Sequence, residues 1–412
     1  MTLPPDMLEG GDEGGPGHLT GVEFYRCMSE KGRRGRKAAR VDAGDAADLQ
    51  RVADAFRAVQ TDRRNVNSLL ELCAVYERST EAPVLHVAAE AICRTLQMLA
   101  EEGLWVSHGA RAVFAEEEAG AALCAWVCGV AEAFRGRSLQ LLGVPDLAPV
   151  GFNALLQCVR MTAREQRAEG AAFVYPAEQV LALVAHLCEH VDPGTPAYEL
   201  LDEAVNSYRD VRFYAVRALA RVAQGCRAQP GADVAQRYRR VFAILSEIAM
   251  ETDAEVASGA AELTPHFVDG AVLPAALAST AQHLHEFSAC WLEVLQGISQ
   301  HAPALHRPLL AIVNERIMPY LPNPCLLADY LTDSYNAGGL VSLLALHGLF
   351  TLMHRHNLDY PAFFAKLYQL LDANILHCRY RRRFCRLFAL FMTSTHMPAY
   401  LVAAFVKRMA RL

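Results

Sequence analysis

The sequence predicts an all-α fold, an irregular α-solenoid of stacked helical pairs. Three observations carry this. Apolar residues recur at three- and four-residue spacing in segments of about 12–20 residues, the period of an amphipathic helix. No sustained two-residue alternation with hairpin turns is found, so little or no sheet is expected. Breakers such as Pro145, Pro193-Gly194, Pro230-Gly231 and Pro322-Asn-Pro324 divide the chain into helices joined by short turns.

Residues 1–45 lack this period. Gly, Pro and charge leave too little apolar area there to offset the entropy of ordering, so a disordered N-terminal segment is expected. It carries a basic run of Lys31, Arg33, Arg34, Arg36, Lys37 and Arg40, six positive charges in ten residues. Such runs read as nuclear-localisation or nucleic-acid patches, or as a solvated linker.

Residues 46–324 read as HEAT-like helical repeats. Asn67–Arg78 groups Leu69, Leu70, Leu72, Cys73 and Tyr76; Pro83–Glu102 opens on a proline and repeats Leu85, Ala88, Ala89, Ile92, Leu96 and Leu99. Further helices are expected over 119–134, 150–168, 176–191, 196–207, 211–224, 234–250, 274–300 and 308–319. Tyr208–Leu219 resembles the turn and second helix of a HEAT-type repeat. In that pattern an Asp (here Asp210) caps the turn, Val211 packs inward, Arg212 reaches an acid of a neighbouring repeat, and the later Ala and Leu face the stack. No clean period of about 40 residues recurs elsewhere, so the array is expected to be irregular, HEAT-like or armadillo-type.

Residues 325–412 form a separate helical domain in this reading. Leu326–Ser334 is a helix closing near Tyr335–Gly339, and Leu340–Met353 is apolar around nearly its full circumference. A helix of that kind must be enclosed by others. Pro361 opens the next helix. Arg379–Phe391 is two-faced, with Tyr380, Phe384, Leu387, Phe388 and Phe391 on one stripe and Arg379, Arg382, Arg383 and Arg386 on another, flanked by Arg381. Pro398 starts the last helix, with Leu401, Phe405, Met409 and Leu412 on one side and Lys407, Arg408 and Arg411 on the other.

Composition narrows the function. Of 412 residues 53% are hydrophobic and 20% charged, a globular balance. Twelve cysteines include no C-x-x-C pair, which removes the usual zinc and thioredoxin patterns, and most lie in apolar runs as reduced core thiols do. The longest largely apolar run, 338–353, is too short to span a bilayer, and no secretory leader is read at the start, so an intracellular protein without membrane contact is expected. The net charge of −6 is unevenly spread. Residues 379–412 hold eight basic residues and no acid, leaving a net −14 on 1–378. A basic end on an acidic body points to an anionic or acidic partner at that end.

Signs of catalysis are few. His186-Leu-Cys-Glu189-His190 fits H-x-x-E-H, in which two histidines share a helix face and could hold zinc. No third ligand is distinguishable, and histidines are favoured at a helix C-terminus on electrostatic grounds alone. Gly338-Gly339 lacks the Gly-Lys-Ser/Thr of a phosphate loop, and no G-x-S-x-G occurs. No enzyme, cofactor, metal or small-molecule substrate is expected.

The C-terminal residues carry a resemblance. Tyr330-Leu-Thr-Asp333-Ser-Tyr335-Asn336-Ala-Gly338-Gly339, His356-Asn-Leu-Asp359-Tyr360-Pro361, Tyr380-Arg-Arg-Arg-Phe384 and Ser394-Thr395-His396-Met397-Pro398-Ala399-Tyr400 resemble the nucleolar complex protein 4 family, with its CCAAT-binding-factor type domain. The resemblance covers about residues 325–412. It implies a non-enzymatic helical-repeat scaffold of the nucleus and nucleolus, acting in 40S-subunit biogenesis and pre-18S rRNA processing within the small-subunit processome. It also implies partnership with nucleolar protein 14 and other processome proteins. The basic residues Arg379, Arg381, Arg382, Arg383, Arg386, Lys407, Arg408 and Arg411 become candidates for gripping pre-rRNA or an acidic partner. Family members continue beyond the last helix, so an incomplete final repeat is expected. The acidic body leaves a second reading open, a karyopherin-like adaptor for nuclear transport.

Overall fold

A computed structural model of the chain describes residues 43–61, 63–101, 118–168, 175–229, 231–251, 264–268, 275–360, 363–371, 377, 381–392 and 399–411. The basic run from Lys31 to Arg40 lies outside the described residues. Helices account for nearly all of the regular structure, and no strand occurs among the described residues. No described helix is long and apolar enough to cross a membrane. The chain divides into two compact units, 1–169 and 170–412.

The first unit contains α1 (Ala43–Thr61), a 3₁₀ turn (Arg63–Asn67), α2 (Ser68–Arg78), α3 (Ala82–Glu101), α4 (Glu118–Leu141) and α5 (Ala148–Ala168). Helices α1, α2 and α3 pack on one another, and α5 packs on α3 and α4. Their shared core is aliphatic: Leu69, Leu72, Leu85, Ile92, Leu96 and Val127 are fully buried. One polar chain crosses it. The Tyr76 and Ser138 hydroxyls lie 3.0 Å apart, and Ser138 donates to Phe134 O at 2.9 Å, so neither hydroxyl is stranded. Gly151 allows α5 to come this close to α4, because a Cβ there would lie 2.5 Å from Ser138 O. Helix α1 begins two residues before the expected end of the disordered segment, and its buried Val52, Ala55, Phe56 and Val59 fall on one face.

The second unit runs through α6 (Ala177–His190), α7 (Pro196–Ser207), α8 (Arg209–Ala228), α9 (Val234–Leu245), α10 (Ala275–Ala278), α11 (Thr280–His301) and α12 (His306–Ile312). It ends in α13 (Ala328–Asn336), α14 (Gly339–His356), α15 (Phe363–Leu370), α16 (Arg381–Met392) and α17 (Ala399–Met409). Helix α8 is the hub, packed on α6, α7, α9, α10 and α11. Its small and branched residues Val211, Ala215, Val216, Ala218 and Leu219 are all buried, which lets five neighbours approach. Helix α11 closes on α9 at Gly297, where a Cβ would overlap the ring of the buried Tyr238. Helix α14 packs on both α12 and α13, from either side of residues 324 and 325.

Two expected helices are broken. The segment 274–300 is interrupted at Ser279, whose hydroxyl caps α11 by accepting from Gln282 N–H at 3.4 Å. The segment 308–319 is α-helical only to Ile312. It then widens to a π turn (Val313–Ile317) and tightens to a 3₁₀ turn (Met318–Tyr320), because Pro319 has no N–H to continue the α ladder.

The turn into α8 matches its HEAT-type expectation in atomic detail. Asp210, fully buried, accepts from its neighbour Val211 N–H at 3.0 Å and from Phe267 N–H at 2.7 Å and Val268 N–H at 3.0 Å. Arg212 reaches an acid, Glu251, at 3.0 Å. Beside them Arg209 donates to Thr280 Oγ1 at 2.7 Å, and His283 Nε2 sits 3.0 Å from Leu277 O.

His283 gives this cluster a pH dependence. Burial lowers its pKa from 6.5 to about 4, with Arg209 and Arg212 adding to the shift and the Leu277 bond opposing it. Between those values the unfolded chain takes up a proton that the folded chain refuses. Stability from this residue is therefore lost as pH falls from 6.5 toward 4, by about 3 kcal/mol over the whole window. Urea unfolding of wild type and His283→Gln should converge as the pH is lowered through that range. Parallel slopes for the two proteins would contradict the assignment.

Candidate docking surface

Of the quoted C-terminal motifs, residues 335–339 and 357–360 lie at helix ends, while Tyr380 and residues 394–398 fall outside the described residues. Gly338 and Gly339 take φ +80° and +63° between α13 and α14, a left-handed pair that a side chain would strain. Tyr335, buried, donates to Phe363 O at 3.1 Å, and the Ser342 hydroxyl donates to Tyr335 O. Asn336 Oδ1 accepts from Tyr360 OH at 3.0 Å and from Lys366 Nζ, whose ammonium also lies 5.6 Å from the Tyr360 ring centre. Asn357 ends α14 at φ +53°. Each bond joins segments more than five residues apart, so the motif fixes how α13, α14 and α15 meet.

An aromatic cluster then seats α16 and α17. Phe391 lies 4.3 Å from Phe350 and 5.6 Å from Phe363 between ring centres; Phe388 contacts Phe405 at 5.6 Å, and Phe405 contacts Tyr368 at 5.7 Å. Phe384, Phe391 and Phe405 are fully buried. This inward stripe forces the helix's other residues outward. Arg381, Arg382 and Arg386 are exposed on α16, as are Lys407 and Arg411 at the end of the chain. Arg383 lies within α16, and Arg379 falls outside the described residues.

Among the described residues no carboxylate pairs with Arg382, Arg386, Lys407 or Arg411. Elsewhere in the same unit arginines are neutralised: Arg221 by Glu178 at 2.8 Å, Arg227 by Glu293 at 2.9 Å, Arg240 by Asp192 at 2.9 Å and Arg316 by Glu247 at 3.0 Å. Arg382, Arg386, Lys407 and Arg411 differ from these in having no carboxylate partner among the described residues.

Arg408 does not belong to that face. It turns inward, donating from Nε to Leu371 O at 3.0 Å with its guanidinium 5.1 Å from the Tyr368 ring centre. Consecutive helical residues point about 100° apart, so Lys407 can be outward while Arg408 lies along the buried stripe. Met409, expected on the inner side, is 37% exposed. Tyr400 and Val406 are exposed as well, an apolar feature that the arginine pattern obscured in the sequence.

The remaining candidate chemistry is engaged structurally. Glu189 of the H-x-x-E-H pattern pairs with Arg237 at 3.6 Å, and the His186 and His190 rings lie 4.8 Å apart. No group of three His, Cys, Asp or Glu side chains suited to a metal occurs among the described residues. A cleft of about 790 Å³ beside α12 and α13 is lined by Ser299, His306, Arg307, Tyr330 and Asp333 among others. There His306 Nδ1 and Tyr330 OH lie 3.0 Å apart, so the imidazole is held by a phenol rather than set against a nucleophile.

Fold and surface together define a class: a helical-repeat protein whose C-terminal helices present exposed cations, of which Arg382, Arg386, Lys407 and Arg411 have no carboxylate partner among the described residues. Comparison narrows it. Residues 44–228 match the family model described as "Nucleolar complex protein 4-like, TPR repeats", and residues 342–412 match that of the CBF/Mak21 family. The first model names as TPR the repeats read from the sequence as HEAT-like; both are stacked helix pairs. The nucleolar complex protein 4 homolog of Mus musculus is 34% identical over 249 residues, covering 60% of this chain and 44% of its own. That of Gallus gallus is 50% identical over 130 residues, 32% of this chain and 25% of its own. An uncharacterized protein of Schizosaccharomyces pombe is 30% identical over 374 residues, 88% of this chain and 73% of its own. The match thus spans less than half the length of the mouse and chicken relatives. The chain belongs to the nucleolar complex protein 4 family.

Proposed function

We propose that this chain is a non-enzymatic scaffold of ribosome biogenesis in the nucleolus, acting on the 40S subunit. In this reading it holds nucleolar protein 14 and other small-subunit processome proteins in register with pre-rRNA during pre-18S processing. No bond is made or broken. The supporting observation is the acid-free basic face of α16, where Arg382 and Arg386 stand exposed without carboxylate partners among the described residues while arginines elsewhere in the unit are neutralised. Arg381, Arg383 and Arg379 extend the same run.

Binding of single-stranded RNA to the purified full chain tests this. Four phosphates neutralised by Arg379, Arg382, Arg383 and Arg386 would make log affinity fall with log salt at a slope of about −3. Arg382→Glu with Arg386→Glu should weaken binding and flatten the slope by more than about 1. A flat response in wild type would overturn the RNA contact. Affinity purification from cells tests the assembly: recovery of nucleolar protein 14 supports the scaffold, whereas recovery of a nucleotide-loaded transport GTPase in its place favours the karyopherin-like adaptor.

A further inference from the structure

We infer that the cleft between α12 and α13 binds a guanine nucleotide. The site is separate from the basic face of α16, and neither reading needs the other. At about 790 Å³ the cleft falls within the range of about 300–1,000 Å³ typical of small-ligand sites. Tyr330, Asp333 and Ser334 line it from one face of α13, being spaced at three and four residues. His306 and Arg307 line it from the start of α12, and Pro303 and Val341 add apolar surface.

The charges are the first feature. Arg307 and Asp333 are exposed in the same cleft, yet neither has an ion-pair partner among the described residues. Elsewhere in this unit arginines on one helix pair with carboxylates on another, as Arg227 does with Glu293 at 2.9 Å. A cation and an anion held apart in one cleft fit a ligand that carries a negative group and a set of donors. The aromatic rings are the second feature. His306 and Tyr330 lie within 16° of parallel with centres 5.8 Å apart, an offset that leaves part of each face uncovered by the other. An uncovered ring face takes a nucleobase by stacking. Tyr330 OH also lies 3.0 Å from His306 Nδ1, and burial holds that imidazole below its ordinary pKa of 6.5, so it is neutral above that value. With the phenol donating to Nδ1, the ring proton stands on Nε2, a further donor for a phosphate or ribose oxygen.

A nucleotide answers these features together: phosphate for Arg307, a planar base for the open ring face, and base N–H groups for Asp333. Among the bases guanine fits the carboxylate best. Its N1–H and N2–H are adjacent donors that meet two carboxylate oxygens side by side. Adenine and cytosine set one amino donor beside a ring acceptor, and uracil sets its N–H between two carbonyls, so each turns a lone pair on Asp333. A peptide fits less well. Most of the lining is helical with its backbone already bonded, as Ala337 N–H is to Asp333 O at 3.0 Å, so a peptide's own N–H and C=O groups would find few partners.

Titration of GMP, AMP, CMP and UMP into the full chain tests this. GMP should bind at least about tenfold tighter than the other three, the discrimination expected of one bidentate pair. Asp333→Asn should remove that preference and favour xanthosine monophosphate, which carries a carbonyl where guanine carries its amine and so accepts from the asparagine NH₂. Arg307→Ala should weaken GMP about tenfold and leave guanosine unchanged. Both substitutions are at exposed sites, so unchanged melting shows that the fold persists. Oligouridylate with and without one internal guanosine separates the sources of the nucleotide. A preference for the guanosine-containing strand that Asp333→Asn abolishes assigns it to RNA; GMP binding with equal affinity for the two strands assigns it to a free nucleotide. Equal affinity for all four nucleotides, or GMP binding that Asp333→Asn leaves intact, would overturn the inference. So would slowed amide exchange across 330–337 with a protein partner and none with GMP, which makes the cleft a protein contact. The salt slope assigned to α16 is read separately, because Asp333→Asn changes no cation. If that slope persists without any base preference, this inference alone falls; a flat slope with GMP bound overturns the α16 contact and leaves the cleft standing.

Discussion

Asp210→Ala should lower the stability of the second unit by about 3–5 kcal/mol, among the largest effects available to a single substitution in this chain. The carboxylate is fully buried and accepts three backbone N–H bonds, from Val211 at the start of α8 and from Phe267 and Val268 more than fifty residues away. Alanine would leave all three donors without that acceptor, and each stranded buried group costs about 1–3 kcal/mol. Asparagine preserves the shape but turns an NH₂ toward a backbone N–H, so it should cost about 2–3 kcal/mol. Burial also raises the Asp210 pKa, against the pull of its three N–H donors. The folded chain therefore holds this proton more readily than the unfolded one, and the contribution of Asp210 declines as pH rises through its folded-state value. That slope is opposite to the one from His283. Urea midpoints near neutral pH, with amide exchange across α8, would measure the loss. A midpoint unchanged by Asp210→Ala would mean that water or other groups satisfy these amides.

What was legible in the sequence depended on how far apart the interacting residues lie. Period alone located nearly every helix, because one buried stripe every 3.6 residues is a local property. The same signal hid the breaks near 279 and 313. Apolar residues continue through them, as at Leu309, Leu310, Val313 and Ile317, so only the hydroxyl of Ser279 and the missing N–H of Pro319 mark the interruption. Asp210 and Arg212 were readable as a motif, but Glu251, Phe267 and Val268 were not readable as their partners. Those residues sit in irregular chain, where no pattern announces a contact.

The candidate surface was legible in its charge and not in its shape. Eight cations without an acid can be counted from the sequence. Which of them are free cannot, because that depends on the rotation of α17 about its axis. Packing of Phe405 against Tyr368 and Phe388 sets that rotation. It carries Arg408 onto Tyr368 and Leu371 while turning Val406 and Lys407 to water. The aliphatic stem of Arg408 then covers apolar surface as a hydrophobic residue would, so this cation contributes to packing instead of to recognition. The expectation that Met409 faces inward failed for the same reason.

Arg212→Leu should cost about 3–5 kcal/mol, and removing Glu251 with it should restore part of the loss. The guanidinium is 3% exposed; Nη2 lies 3.0 Å from Glu251 Oε1 and donates to Thr264 Oγ1 at 2.9 Å, while Nη1 donates to Ala249 O at 2.7 Å. Leucine fills some of the volume but strands a nearly buried carboxylate and a carbonyl. Most of the penalty is thus the isolated charge of Glu251, a cost that the pair avoids together. Glu251→Gln in the Arg212→Leu background removes that charge, and a double-mutant cycle should return a coupling of about 1–3 kcal/mol. Strict additivity would show that the carboxylate finds water when its partner leaves. Lysine at 212 separates charge from geometry. It keeps the positive charge, yet a single ammonium lacks the planar fork that serves Ala249 O from one nitrogen and Glu251 with Thr264 from the other. Arg212→Lys should therefore lie between leucine and wild type, and its deficit measures how far the fork itself holds residues 249–251 and 264 against α8.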